Sequence, residues 1–406
     1  MFARWYAAMT TSQTGTAIGA VALPLTALVA LDATPFQMGL IAAAQYVAWI
    51  VIGLPAGVLV RRLPLRTAQV GADLARFAAV VSVPLAWWAG VLTVGQLVAV
   101  ALVTSFANVI FDVANSAFLV SIVPADQLQS RNSLVSGTHA ATLLGGPSAG
   151  GVIVQLLGAV PTLLVDAASY LASAALLRTL PHRPAEAPDG RAAVVAQIRE
   201  GWRYVTGHPI IGPCMWEATV INTINGAYHA LFALYLVRDL NASPGLVGVL
   251  LAADGAGTLL GAALTTRITN AIGTARTLLL TGFVMIAGAA LIPLGTGPWG
   301  YAAFALGNLI FGGAVVVSSV VTRTYRQVTS PPGMLSRVMA TVRFVSWGAI
   351  PLGGLTAGTL AGLIGTRPTL LLFALFATAI PATLLRSPLR HLRNLTDHQP
   401  ASPAQL

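Results

Sequence analysis

Lysine is absent from this chain: all 22 basic residues are arginine, against 12 acids, and charged residues make up only 8% of its 406 positions. With 56% hydrophobic residues, that leaves too little polar surface for a water-soluble fold of this length. The missing lysine also excludes a G-x-x-x-x-G-K-[ST] phosphate loop, so this chain holds no ATP site of that kind. A single cysteine, Cys214, excludes an internal disulfide and any cysteine-built zinc or iron–sulfur centre, and no metal or other cofactor is expected. The net charge of +10 does not indicate nucleic acid, because the arginines fall between apolar segments and form no stripe with aromatic neighbours. Arginine without lysine, with abundant alanine, glycine and proline, reads as the mark of a GC-rich genome.

What the chain has in quantity is long apolar runs. About twelve segments of bilayer-crossing length follow one another, at 8–30, 36–60, 67–89, 94–117, 133–157, 161–178, 210–237, 244–265, 275–295, 299–321, 339–364 and 368–386. They lack the alternation of barrel strands, and lipid offers the backbone no hydrogen bonds, so they must be helices. The expected fold is all-α: a polytopic membrane protein with twelve transmembrane helices in two six-helix, pseudo-symmetric bundles. The expected divisions are 1–178 and 210–386 for the bundles, 179–209 for a linker and 387–406 for a tail. Thr10, Thr11, Ser12, Gln13 and Thr14 interrupt the first run, which argues against a cleaved leader. Within the linker, Val194, Val195, Ile198, Trp202 and Val205 share one face of a helix expected over 191–206, opposite Arg199, Glu200 and Arg203. This pattern suits a helix lying flat on the membrane surface, with partner binding as the alternative. The tail from Asn394 onward, with Pro400 and Pro403, reads as disordered.

Two stretches nearly repeat each other. Gly146 to Leu164 reads GPSAGGVIVQLLGAVPTLL, and Gly353 to Leu371 reads GGLTAGTLAGLIGTRPTLL. Gly146 aligns with Gly353, Gly151 with Gly358, and Gly158-x-x-Pro161-Thr162 with Gly365-x-x-Pro368-Thr369; Ser130-Arg131 and Ser336-Arg337 precede the two copies. Parallel repeats in so apolar a chain are the architecture of one large group of secondary transporters, with the path between the halves. Orientation follows from the arginines. With both ends cytoplasmic, the outer loops hold only Arg238 and Arg367, and the inner loops hold Arg61, Arg62, Arg66, Arg131, Arg337 and most of the rest.

Several motifs carry a family likeness. They are Ser12-Gln13-Thr14-Gly15, Gly53-Leu54-Pro55-Ala56-Gly57 followed by Arg61-Arg62-Leu63-Pro64-Leu65-Arg66, Asp73 with Arg76, Phe111-Asp112, Gly146-Pro147-Ser148-Ala149-Gly150-Gly151, and Asp166-Ala167-Ala168-Ser169-Tyr170. Together they resemble the major facilitator superfamily, in the bacterial branch of macrolide and enterobactin-type siderophore exporters. The resemblance implies a monomeric carrier in the bacterial inner membrane, in contact with the lipid bilayer, protons and a small-molecule substrate. It also implies gating roles for Gly57, Arg62, Arg66, Gly146, Pro147, Gly150 and Gly151. Two departures stand out: Ser133 and Thr142 replace glycines usual upstream of the fifth-segment motif, and Arg61 replaces the acid of the basic loop. That acid normally latches one side of the carrier by meeting a helix N-terminus. In its place Arg62 or Arg66 could reach Asp112, or Asp112 could simply order its own helix end.

Ionisable groups inside a bilayer are costly and seldom kept without use. Asp254, about ten residues into its segment, is therefore the first candidate to take and release a proton; the alternative is a packed carboxyl bonded to a neighbouring hydroxyl or backbone group. Glu217 is the second, placed close enough to the inner surface for hydration, and Asp112 the third. Arg343 could neutralise an acid, bind an anionic substrate or form a structural pair. Gln13, Gln45, Asn108, Asn222, Asn225 and Asn308 could line a cavity or join helices. His139 and His229 could relay protons, because imidazole as a class titrates near neutrality, or be interhelical contacts. Gly53-x-x-x-Gly57 and Gly257-x-x-x-Gly261 are expected to pack helices closely. Gly146-x-Ser148-x-Gly150 matches a serine-nucleophile pattern, which makes an intramembrane serine hydrolase a remote alternative; the strand-turn-helix context it needs is missing. The expected function is export of a small amphipathic compound, of drug, macrolide or siderophore type, by proton antiport with alternating access. Proton-coupled import of a small metabolite is the alternative.

Overall fold

Apolar runs of this length satisfy their backbone groups internally, so helix follows helix along the chain. The computed structural model describes residues 1–53, 63–124, 127–181, 194–331 and 333–397. Among these the helices are α1 (Phe2–Leu31), α2 (Pro35–Val51), α3 (Leu65–Trp88), α4 (Val94–Ile122), α5 (Leu128–Leu157), α6 (Ala159–Arg178), α7 (Val194–Gly207), α8 (Ile211–Leu234), α9 (Pro244–Ile272), α10 (Thr274–Leu291), α11 (Gly297–Thr329), α12 (Leu335–Ile364), α13 (Thr366–Phe376) and α14 (Ala379–Leu385). Among the described residues, eleven spans are long and apolar enough to cross a membrane, and α2 is a shorter apolar helix. The protein is thus an all-α, polytopic membrane protein.

Local chemistry sets the ends of these helices. Thr34 opens α2 with a capping box, its side chain accepting from the Gln37 N–H while the Gln37 side chain takes the Thr34 N–H, and Pro35 occupies the first helical position. Thr93 accepts from the Gln96 N–H in the same way at the start of α4. Gly158 alone separates α5 from α6, with φ 88°. The second run, expected over 36–60, is helical to Val51, and Gly57, Arg61 and Arg62 lie outside the described residues. The last run, expected unbroken over 368–386, divides into α13 and α14. Pro381 explains the break, since its ring removes a donor and crowds the carbonyl of Ala377. The run that begins at Ile211 ends in a π-helical turn, Tyr235–Asp239.

The chain forms two compact units. Unit 1 is Met1–Arg191 with Gly226–Ala252 and Pro351–Arg367. One of its cores gathers Trp5, Met9, Phe111, Phe118, Leu119, Leu177 and Leu180. Unit 2 is Ala192–Asn225, Ala253–Ile350 and Pro368–Leu406. Its core contains Val205, Ile210, Met215, Leu278, Val338, Leu384, Leu389 and Leu395.

Two features of unit 2 differ from expectation or sharpen it. Helix α7 turns Gly201 and Val205 inward: a Cβ on Gly201 would lie 2.7 Å from the Thr341 hydroxyl, and Glu200 pairs with Arg337 of α12. The expected disorder from Asn394 onward is corrected as far as Asp397. Asn394 Oδ1 accepts from the Thr274 N–H at 3.2 Å, the Leu395 N–H donates to Thr274 Oγ1 at 2.9 Å, and Leu395 is buried. A start of helix with free N–H groups binds that segment whatever its composition suggests.

Candidate functional site

In unit 1 the first polar cluster grows from α3. Asp73 and Arg76, one turn apart, form a buried ion pair. Asp73 also accepts from Ser173 of α6 at 2.7 Å and from Ser12 of α1 at 3.4 Å, and Arg76 donates to Asn108 of α4 at 2.9 Å. The guanidinium is held between the rings of Phe111 and Tyr170, 4.3 and 4.5 Å from their centroids. Asp166, on the same helix as Tyr170, lies against Gly15 and Gly19 of α1, where any Cβ would collide with Ser169 and with the Asp166 carboxylate. So many charge-assisted bonds tie four helices into one body. Ser12, Asp73, Arg76, Phe111, Asp166 and Tyr170 appeared in the sequence as motif residues and Asn108 as a cavity candidate; Ser173 and Gly19 did not appear, nor did the shared site. The signal was there in two charges spaced i and i+3 inside an apolar run.

A second set of contacts in unit 1 lies where α1 meets α2, α5 meets α6, the π-turn meets α9 and α12 meets α13. Arg238 of the π-turn donates to Asp32 Oδ1 at 2.5 Å and to the Ala33 carbonyl at 3.0 Å. Asp239 is hydrogen-bonded to the Thr366 side chain. Gly39 of α2 faces Gly354 and Gly358 of α12; a Cβ on Gly39 would fall 2.6 Å from the Gly354 carbonyl oxygen. Gly151 of α5 meets Gly248 of α9, where a Cβ on Gly151 would fall 2.8 Å from the Gly248 α-carbon. Gln155 accepts from the Gly245 N–H at 3.2 Å, and Tyr46 of α2 hydrogen-bonds His229 of α8 at 3.1 Å. Gly146 and Gly150 serve a different neighbour, since their missing side chains admit Ala17 and Ile18 of α1.

The other candidates in unit 1 are scattered. Gln13 is half-buried, and its Oε1 is buried without a hydrogen-bond partner among the described residues. The Gln45 carbonyl accepts from Ser105, and Asp112 is exposed. Arg66 donates to the carbonyls of Arg178 and Leu180, at 3.4 and 2.6 Å. Those carbonyls lie at the C-terminal end of α6, where the helix dipole and unpaired acceptors attract a cation. A groove of about 630 Å³ between α3 and α4, lined by Ala68, Gly71, Ala75, Phe106 and similar residues, contains none of the candidates.

Unit 2 holds the remaining acids. Glu217 of α8 is 1% exposed, which corrects the expected hydration, and accepts from Ser318 of α11 at 2.6 Å. Asp254 of α9 is half-buried against Gly312 of α11, with no hydrogen-bond or ion-pair partner among the described residues. The neighbouring hydroxyl of the packed-carboxyl alternative is thus not found among them. Gly257 and Gly261 let α9 approach the Leu309 and Gly313 carbonyls of α11, the close packing their spacing suggested. Asn308 is buried, Asn222 and Asn225 are half-buried, and Arg343 is exposed with its guanidinium 4.1 Å from the Trp347 ring centroid. No group of three or more metal-binding side chains occurs among the described residues.

Comparison with known proteins fits this geometry. The family model described as a transmembrane secretion effector matches residues 1–405. The chain is 30% identical over 396 residues to the multidrug efflux pump Tap of Mycolicibacterium fortuitum, covering 92% of this chain and 91% of that protein. It is 27% identical over 368 residues to the MFS-type transporter YfiS of Bacillus subtilis, covering 88% and 86%. The crystal structure of the nucleoside transporter NupG superimposes with a TM-score of 0.75 at 12% identity, covering 93% of this chain and 97% of that one.

Proposed function

Because this chain belongs to the major facilitator superfamily, in its transmembrane secretion effector family, and is a transporter rather than an enzyme, we propose that it exports a small amphipathic compound by proton antiport. The observation that carries export is the 30% identity to an efflux pump along 92% of the chain. Asp254 carries the coupling: it is a carboxyl in an apolar helix with no partner among the described residues, free to trade a proton as its surroundings change. Glu217, tied to Ser318, has the lesser part. Gln13, Gln45, Asn108, Asn222, Asn225, Asn308 and Arg343 supply polar points along the path. The two six-helix halves, 1–178 and 210–386, alternate about this path, with both termini and the 179–209 linker in the cytoplasm of a bacterial inner membrane.

A pH difference of one unit supplies only about 1.4 kcal/mol per proton. The proton affinity of Asp254 must therefore differ between the two states by a comparable amount. The test is a susceptibility screen of cells with and without the protein against amphipathic antibiotics and dyes. It is followed by efflux of the selected compound from proteoliposomes under an imposed pH gradient. Native protein drives uphill efflux, Asp254→Asn retains binding and loses uphill movement, and Glu217→Gln keeps part of it. Uphill efflux by Asp254→Asn removes that residue from the coupling, and indifference of native protein to the gradient removes antiport.

A further inference from the structure

At one end of unit 2, α7 and the segment that follows α14 share a single apolar cluster. Val205 packs there with Leu389 and Leu395, flanked by Tyr204 and Leu392. The Arg393 carbonyl accepts from the Ala275 N–H at 3.0 Å, which places Arg393 beside Arg276. With these apolar groups turned inward, the opposite face of α7 is exposed. Arg199 and Arg203 are exposed there, and so is Trp202, 44% accessible, which the sequence pattern had placed on the apolar face; Arg276, Arg390 and Arg393, chain neighbours of the cluster residues Ala275, Leu389 and Leu392, are exposed as well.

Among the described residues, no acid neutralises this surface. Glu200 is engaged by Arg337, and Asp397 accepts from the Asn394 N–H at 2.8 Å. The guanidinium groups of Arg199 and Arg203 have no hydrogen-bond or ion-pair partner among the described residues. Like charges four residues apart on one helical face repel each other. An exposed indole between them has its best environment at headgroup depth, where its ring is half in hydrocarbon and its N–H stays wet. A surface that needs anions beside a thin apolar layer fits lipid better than bulk phosphate, which offers no such layer.

We propose that Arg199, Trp202 and Arg203, with Arg276, Arg390 and Arg393 of the segments packed on the same apolar cluster, bind the headgroups of anionic phospholipids in the leaflet around this end of unit 2. Recognition is by phosphate and by the net negative charge that zwitterionic lipid lacks. The site rests on the membrane reading alone and does not depend on export or antiport.

The experiment is native mass spectrometry of the full chain in detergent, titrated with phosphatidylglycerol or with phosphatidylethanolamine. Native protein retains phosphatidylglycerol selectively. Arg199→Gln/Arg203→Gln lowers that affinity on the order of 30-fold, while Arg238→Gln, in unit 1, leaves it unchanged. Trp202→Ala, which keeps every charge, shortens lipid retention and leaves competition by inorganic phosphate weak. Equal retention of the two lipids overturns the proposal, as does native-like retention in the double variant. Displacement of the lipid by equimolar inorganic phosphate or by a soluble acidic peptide also overturns it, in favour of a simple anion site or a protein partner.

Discussion

Gly158 and Gly365 share a positive φ, 88° and 91°, each as the single residue between two helices. The repeated Gly-x-x-Pro-Thr thus encodes one device twice: a glycine that reverses the chain, then a proline in the first turn, where its missing donor costs nothing. Alanine at either position is expected to cost about 1–3 kcal/mol, read as a lower midpoint of thermal unfolding. Gly71→Ala, in the middle of α3 with nothing within 4 Å of the added Cβ, is the control and is expected to raise it.

The Asp73–Arg76 pair is buried on both sides, with side-chain exposures of 0% and 4%. Removing one partner leaves the other charge without compensation, so Arg76→Leu or Asp73→Leu is expected to cost about 3–5 kcal/mol. The measurement is thermal unfolding in detergent. A loss below about 1 kcal/mol, the range of solvated pairs, would mean that water reaches the cluster.

Gly151 and Gly248 meet without side chains, so a bulky residue there pushes α5 from α9 while leaving each helix intact. Gly151→Leu is expected to insert and fold normally but to lengthen the distance between spin labels at Leu157 and Leu363, and to stop transport. Gly150→Leu meets α1 instead and is expected to block the cycle by distorting the first bundle. Normal transport by both variants would take this motif out of the mechanism.

Arg238 and Asp32 form an exposed pair, and such pairs contribute at most about 1 kcal/mol to stability. Asp32→Ala is therefore expected to leave the unfolding midpoint in place and to shift the same label distance toward the longer value. The swap Asp32→Arg/Arg238→Asp is expected to restore it.

Topology is checked by reporter fusions. A phosphatase that is active only outside the cell, joined after Arg203 or after Arg393, is expected to stay silent at both positions.

Which features were legible in the sequence follows from range. Runs of bilayer length gave the helices, because lipid leaves the backbone one option, and Gly257-x-x-x-Gly261 gave a close approach, because spacing alone puts both residues on one face. The union of Ser12, Asp73, Arg76, Asn108, Tyr170 and Ser173 was hidden, since it needs four helices in register. Glu217 looked hydrated from its place near the start of a segment; what meets it in the folded chain is Ser318, far along the sequence. The docking of Asn394 and Leu395 on Thr274 was equally out of reach, because the polar composition of the tail conceals a partner that exists only once α10 has formed.

The glycine seams of α2 with α12 and of α5 with α9 join backbone to backbone, with glycine α-carbons and carbonyls in contact. Of the bonds described above, parting the α5–α9 seam breaks one, from the Gly245 N–H to Gln155. The hydrogen-bond component of the barrier is then small, and what mainly opposes opening is the dispersion attraction forgone until lipid, water or cargo fills the gap. The rate of opening should respond to the thickness and fluidity of the surrounding bilayer more than to pH or ionic strength. The charged clasp at Asp32 and Arg238 would add only a salt-sensitive bias to that rate.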